Sequence, residues 1–255
     1  IYAPFAWIRM RRALRCADHA IYVTRNFLQQ RYPTQAQNTA AASNVVLKTV
    51  TLSTLEARLA KITALPNQPK NQPLRLGRIG TLRSRYKGIQ TLLAALAMSR
   101  ADLPVLSLHI LGGGDSAPWT AEAERLGVDD LVHFEGTLPA GDPVLHWLDK
   151  IDLYLQPSLQ EGLPRALIEA MSRGCPVLAS TAAGIPELVP RSDLIRPGDA
   201  ATLAQLLKDR TADHEWMAAR ARANWQMASD YRADILEERR NMFWRRFRDS
   251  IDTRT

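Results

Sequence analysis

The stretch Asp152-Leu-Tyr-Leu-Gln-Pro-Ser158, followed closely by Glu161-Gly-Leu-Pro-Arg-Ala-Leu-Ile-Glu169, decides the fold. Its first part reads as a short apolar strand closed by a Pro-Ser turn. Pro164 suits the first turn of a helix, where a missing backbone N–H costs nothing. Glu169 then lies on that helix and Glu161 in the loop before it. Free N–H groups and the positive end of the helix dipole make such a helix start a place for anions. Two carboxylates beside it would repel a bare phosphate, so they are expected to accept hydrogen bonds from hydroxyls. A ligand carrying both phosphates and many hydroxyls fits, and a nucleotide sugar is such a ligand.

The strand–turn–helix pattern recurs on both sides of this stretch. After residue 73, strands are expected over Leu74–Thr81, Val105–Leu111, Leu131–Phe134, Asp152–Leu155 and Pro176–Ala179. Helical patterns over Gly88–Met98, Ala121–Leu126, Val144–Leu148 and Leu163–Arg173 alternate with them. That alternation predicts βαβ units and an α/β fold, a Rossmann-like parallel sheet flanked by helices. Binding loops then line the edge formed by the carboxyl ends of the strands. Ala200–Asp209, Asp213–Ala228 and Ile235–Arg248 read as further helices. Among the first 50 residues, Trp7–Arg15 and Asn26–Tyr32 read as helical and Ala20–Thr24 as a strand. Thr34–Ser43, polar and alanine-rich without periodicity, reads as a linker or mobile loop.

Pro157-Ser158, Glu161-Gly162, Pro164, Glu169-Ala170-Met171, Gly174, Pro176-Val177 and Gly184-Ile-Pro-Glu187-Leu-Val189 follow one another over a single strand–helix–strand–turn unit. In this order they resemble the retaining family-4 glycosyltransferases of the GT-B fold. The resemblance implies that residues 48–230 are the C-terminal, nucleotide-sugar-binding domain. Residues 1–47 would be the remnant of a truncated N-terminal acceptor domain with its linker, and 231–255 a helix crossing back toward that domain. It further implies that Glu161 accepts hydrogen bonds from the donor sugar, that the N–H groups of Gly162 and Leu163 face sugar and phosphate, and that Glu169 holds the ribose hydroxyls. The donor would be a UDP- or GDP-sugar and the acceptor a sugar or a lipid-linked sugar. No metal or other cofactor is expected, because a fixed cation and a helix N-terminus take the charge of the leaving diphosphate.

Arg78-Ile-Gly-Thr-Leu-Arg-Ser-Arg-Tyr-Lys-Gly88 is a strand running into a basic loop and then a helix, an arrangement suited to a diphosphate. Lys87 matches the family's diphosphate lysine and is expected to be catalytic with Glu161. The family's Gly-Arg is here Gly80-Thr81, so the arginine is absent from its place. Arg83 or Arg85 is expected to substitute for it, and the residues do not decide which. A Gly-rich turn at Gly112 would let the ligand approach the backbone, and Thr137 and Leu138 match the positions that touch the nucleobase.

Two rival readings rest on the same chain. Gly112-x-Gly114-x-x-Ala117 after a strand, with Glu135 ending the next one, is a dinucleotide fingerprint and suggests an NAD(P)-dependent oxidoreductase. Against it, the motif is not in the first βα unit, Asp115 would face the pyrophosphate, and Pro118 and Trp119 are expected to interrupt the helix. A sugar-nucleotide epimerase shares the GT-B fold. A glycosidase would also use two carboxylates, but such pairs usually come from separate strands rather than from one loop–helix unit.

The 255 residues suffice for a full core, and 46% hydrophobic with 23% charged residues describes an ordinary globular chain. No run approaches the ~18 apolar residues of a membrane span. Cys16 and Cys175 are too few for a disulfide framework or a metal site, which makes a reducing cytoplasm the expected location. Because the chain opens on Ile1, a fragment or processed chain is expected, whose preceding part could have carried a targeting segment. The net charge of +7 favours anionic partners. Arginines cluster at Arg9–Arg15 and Arg232–Arg248, which reads either as two solvated helix faces or, with Trp7, Phe243, Trp244 and Phe247 among them, as a surface for peripheral contact with an anionic inner membrane face. Nothing beyond charge supports nucleic-acid binding, and none is expected.

Overall fold

The computed structural model describes residues 2–47, 50–69 and 71–252. Ile1, the proposed boundary at residue 48, and the end of the terminal segment at 253–255 lie outside the described residues. Elements in chain order are α1 (Tyr2–Arg15), β1 (His19–Tyr22), α2 (Phe27–Arg31), β2 (Asn38–Ala41), α3 (Leu52–Ala64), β3 (Leu74–Ile79), α4 (Ile89–Ser99), β4 (Leu106–Leu111) and α5 (Ala117–Leu126). They continue with β5 (Val132–Phe134), α6 (Asp142–Lys150), β6 (Leu153–Gln156), α7 (Arg165–Ser172), β7 (Val177–Ser180), β8 (Leu194–Ile195), α8 (Ala200–Thr211), α9 (His214–Ser229) and α10 (Ala233–Asp252).

Six strands form one parallel sheet in the order β5-β4-β3-β6-β7-β8. Every residue of β4, β6 and β7 is buried, because helices cover both faces. Successive side chains feed two separate cores. Leu153, Leu155 and Leu178 pack with Leu92, Leu96, Leu207 and Met217 on one face. Tyr154, Val177 and Ala179 pack with Trp147, Leu167, Ile168 and Met171 on the other. Each fully buried leucine contributes about 1.5–3 kcal/mol relative to exposure. The strand order reverses between β3 and β6, and such a switch point opens a crevice at the carboxyl ends of the strands.

Two expectations are corrected. Asn38–Ala41, read as part of an irregular segment, forms a strand parallel to β1. The strand is held from outside: the Asn38 side chain donates to the Phe243 carbonyl (3.1 Å), so α10 seals a segment with no apolar alternation of its own. Likewise, Pro118 and Trp119 do not interrupt a helix but open α5, Pro118 in its first turn and Trp119 buried with its Nε1 donating to the Leu82 carbonyl (2.8 Å). A first-turn proline gives up no helical hydrogen bond. The sequence reading also passed over α3, whose buried Arg58 donates to the carbonyls of Leu148, Ile151 and Arg173. Among the described residues no helix is long and apolar enough to cross a membrane.

Candidate active site

The crevice at the switch point holds two adjoining cavities that share Ile79, Gly80, Leu138 and Val144. One, of about 340 Å³, is lined by Thr81, Arg83, Gly112, Gly113 and Thr137 besides the shared residues. The other, of about 420 Å³, is bordered by Lys87, Gln156, Glu161, Leu163, Arg165 and Glu169.

The second cavity joins the ends of two strands. Lys87 follows β3 and Glu161 follows β6, yet the Lys87 Nζ donates to Glu161 Oε1 at 2.6 Å, across the switch point. Gly88 makes this possible. Its φ is +79°, and a Cβ there would sit 2.1 Å from the Pro157 carbonyl oxygen, so the backbone after Lys87 is pressed onto the turn after β6. Glu161 Oε1 also accepts from Ser158 Oγ (2.8 Å) and Gln156 Nε2 (3.1 Å). Behind them Tyr154 donates to Gln156 Oε1 (2.9 Å) and accepts from the Ile79 N–H (3.3 Å); burial raises its phenol well above the usual range. Glu161 is therefore fixed from below by buried, satisfied groups.

Glu169, on α7, differs. Among the described residues its carboxylate has no hydrogen-bond or ion-pair partner, and burial raises it above the ordinary carboxylate range against a weaker opposite pull from Arg165. Pro164 caps α7 from the extended region, one residue before the helix begins. Gly162 gives its carbonyl to the Gly184 N–H (2.9 Å), which anchors the loop before α7 to the turn after β7. A Cβ on Gly184 would meet that carbonyl at 2.8 Å and the Thr24 methyl at 2.9 Å. Three residues on, Glu187 accepts from the N–H groups of Arg25 (2.7 Å), Asn26 (3.1 Å) and Phe27 (2.6 Å), tying the N-terminal segment to the same turn.

The profile of the family Glycosyl transferases group 1 matches residues 73–213, more than half of the chain. The chain belongs to this family. Protein CapJ of Staphylococcus aureus is 27% identical over 227 residues, 89% of this chain and 55% of that protein. The amylovoran biosynthesis glycosyltransferase AmsK of Erwinia amylovora is 34% identical over 147 residues, 54% of this chain and 36% of that one. The chain thus spans about half or less of the length of these curated relatives. The Anabaena protein HepE, solved in complex with UDP-glucose, superposes with a TM-score of 0.73 at 21% identity, covering 98% of this chain and 70% of its own. The fold is the GT-B α/β fold.

Against this family frame, most residues singled out in the sequence meet in one crevice. Glu161, Lys87, Glu169 and Leu163 border the larger cavity; Thr81, Arg83, Gly112 and Thr137 border the smaller, and Leu138 both. Arg85 borders neither, its guanidinium lying over the Trp119 ring at 5.4 Å. Thr81 turns inward, donating to the Gly113 carbonyl (3.2 Å). Gly112 makes room for protein: a Cβ there would sit 2.0 Å from the Gly80 carbonyl oxygen. Glu135 is already engaged by Trp147 Nε1 and His109. Burial alone would raise it, but these hydrogen bonds hold it below the usual carboxylate range, and it borders neither cavity. Gln156, Tyr154, Glu187 and Arg78 were assigned no role from the sequence, although Glu187 stands in the family pattern and Arg78 opens the basic stretch. Arg78 carried a readable signal, since period-two alternation puts it on the same face of β3 as Leu74 and Leu76, both buried.

Proposed function

We propose that this chain is the donor-binding half of a retaining hexosyltransferase that uses a nucleotide-diphosphate sugar. Lys87, released from Glu161, takes the diphosphate; Glu161, still held by Ser158 and Gln156, accepts from the donor sugar; Glu169 accepts from the ribose hydroxyls; and the wall at Thr137 and Leu138 receives the base. Gly162 and Leu163 present N–H groups at the start of α7 to sugar and phosphate. The reading uses no metal or other cofactor. Catalysis is electrostatic: charge growing on the leaving diphosphate meets a fixed cation and a helix N-terminus.

The observation that carries this reading is the meeting of Lys87 with Glu161 across the switch point, beside the unpartnered Glu169. Residues 48–230 form the donor-binding unit. Residues 1–47 and 231–255, joined through Asn38 and Phe243, belong to the acceptor side. The acceptor is a sugar or a lipid-linked acceptor. The exposed Trp244, among the arginines of α10, rests on an anionic cytoplasmic membrane face. Calorimetric titration with UDP, GDP, their sugars and NADH tests the central claim. Binding of a nucleoside diphosphate and its sugar, without binding of NADH, is expected; preferential binding of NADH overturns it. The chain by itself is expected to bind donor and to transfer sugar poorly, and vigorous transfer would show that the acceptor side is not missing.

A further inference from the structure

Of the two loop arginines expected to replace the cation missing at position 81, Arg85 lies over Trp119, and Arg83 borders the smaller cavity but not the one bordered by Lys87 and Glu161. A third arginine is bonded to the loop that carries Lys87. Arg78, in β3, is fully buried, and no carboxylate lies within ion-pair distance of it among the described residues. Its guanidinium donates to the Gly80 carbonyl (3.2 Å) and to the Lys87 carbonyl (2.8 Å), the two ends of the basic loop. Its Nε has no partner among the described residues. Both loop ends border the larger cavity, so the guanidinium is bonded to backbone that forms part of the cavity wall. A Cβ on Gly80 would meet the guanidinium at 3.1 Å.

A buried cation without a counter-ion is costly, and chains keep one where an anion arrives or where a backbone must be held. Both conditions meet here. Desolvation lowers the guanidinium to about 10, which still leaves it charged at neutral pH, and Glu161 is the carboxylate acting on it through space.

We propose that Arg78 is the positioning residue that replaces the missing loop arginine: from beneath the Gly80 turn it clamps both ends of the basic loop and lends its charge to the donor diphosphate. The inference rests on the donor reading above. It differs from a purely structural role in one respect, since a charge beneath the loop favours phosphates and is indifferent to a nucleoside.

The test is calorimetric titration of the wild-type chain and of Arg78→Gln and Arg78→Lys with UDP, GDP, uridine and guanosine. Arg78→Gln keeps a donor and removes the charge; it is expected to weaken the bound nucleotide about 10-fold, the scale of one charge interaction in a partly desolvated site. The matching nucleoside should change less than about 2-fold, and Arg78→Lys should recover most of the loss. Equal weakening of nucleotide and nucleoside, or no weakening, overturns the inference. Should Arg78→Gln fail to fold, Thr81→Arg in the wild-type background decides. If Arg78 already supplies the cation, Thr81→Arg gains less than about 3-fold in nucleotide affinity, whereas a gain of about 10-fold or more shows the charge was lacking. If the wild-type chain binds neither UDP nor GDP, the donor reading falls and this inference with it. If it binds one of them and the variants behave alike, only the inference falls.

Discussion

The two acids of the crevice stand in opposite states. Glu161 is saturated at one oxygen by a lysine, a hydroxyl and an amide, while Glu169 is desolvated and without a partner. The first is a group whose position the fold has fixed in advance. The second is half-buried and has no protein partner among the described residues, so water or a ligand must complete it. One motif therefore holds a pre-oriented end and a receptive end, and substitutions should affect them differently.

The largest effect is expected where the pre-oriented end is built into the backbone. Gly88→Ala adds a Cβ 2.1 Å from a carbonyl oxygen at a φ of +79°. Neither the strain nor the clash can relax without moving Lys87 off the turn after β6, and a loss of at least about 3 kcal/mol in urea unfolding is expected. A variant as stable as the wild type would mean the two loops are not pressed together.

Next is Lys87→Ala, which should weaken nucleoside diphosphate binding about 100-fold by removing a charge-assisted contact in a partly desolvated site. Its cost to folding should be about 2 kcal/mol, below the full cost of breaking a buried ion pair, because Glu161 keeps Ser158 and Gln156 as donors. Unchanged affinity in titration would refute the assignment of Lys87. Glu161→Gln sharpens the contrast. It frees Lys87, so affinity for the bare nucleotide should stay within about 3-fold, while affinity for the intact nucleotide sugar falls about 10-fold. Equal losses on both ligands would place Glu161 at the phosphate rather than the sugar.

What could be read from the chain follows the same division. The pre-oriented end is legible, because apolar runs bounded by glycine and proline mark β3 and β6 and the residues after them. Their meeting is not, since it depends on the order β3-β6 in the sheet, which alternation alone does not specify. The buried Gln156 and Tyr154 look like ordinary strand residues, and Arg78 reads as a solvated cation unless its phase with Leu74 and Leu76 is counted. β2 is invisible locally because its stability comes from α10, far along the chain. Pro118 misled because proline ends a helix and begins one with equal ease, and only the described helix start tells which.

The smallest effect is the most specific to the receptive end. Burial raises the Glu169 carboxyl, so the folded chain holds its proton to a higher pH than the unfolded chain does. Between the ordinary glutamate value and the raised one, the native state binds more protons than the unfolded state, and stability falls as pH rises; above both, the full penalty remains. Glu169→Gln has no such slope. In urea unfolding at a series of pH values, the variant should match the wild type at the acid end and become the more stable of the two toward neutrality. In titration it should bind nucleoside and nucleotide alike about 5-fold more weakly, since the ribose is common to both. A gain in stability paired with a loss in binding is the signature of a group kept unsatisfied for a ligand. If stability and binding fall together, Glu169 is held by the protein after all, and the two acids are alike.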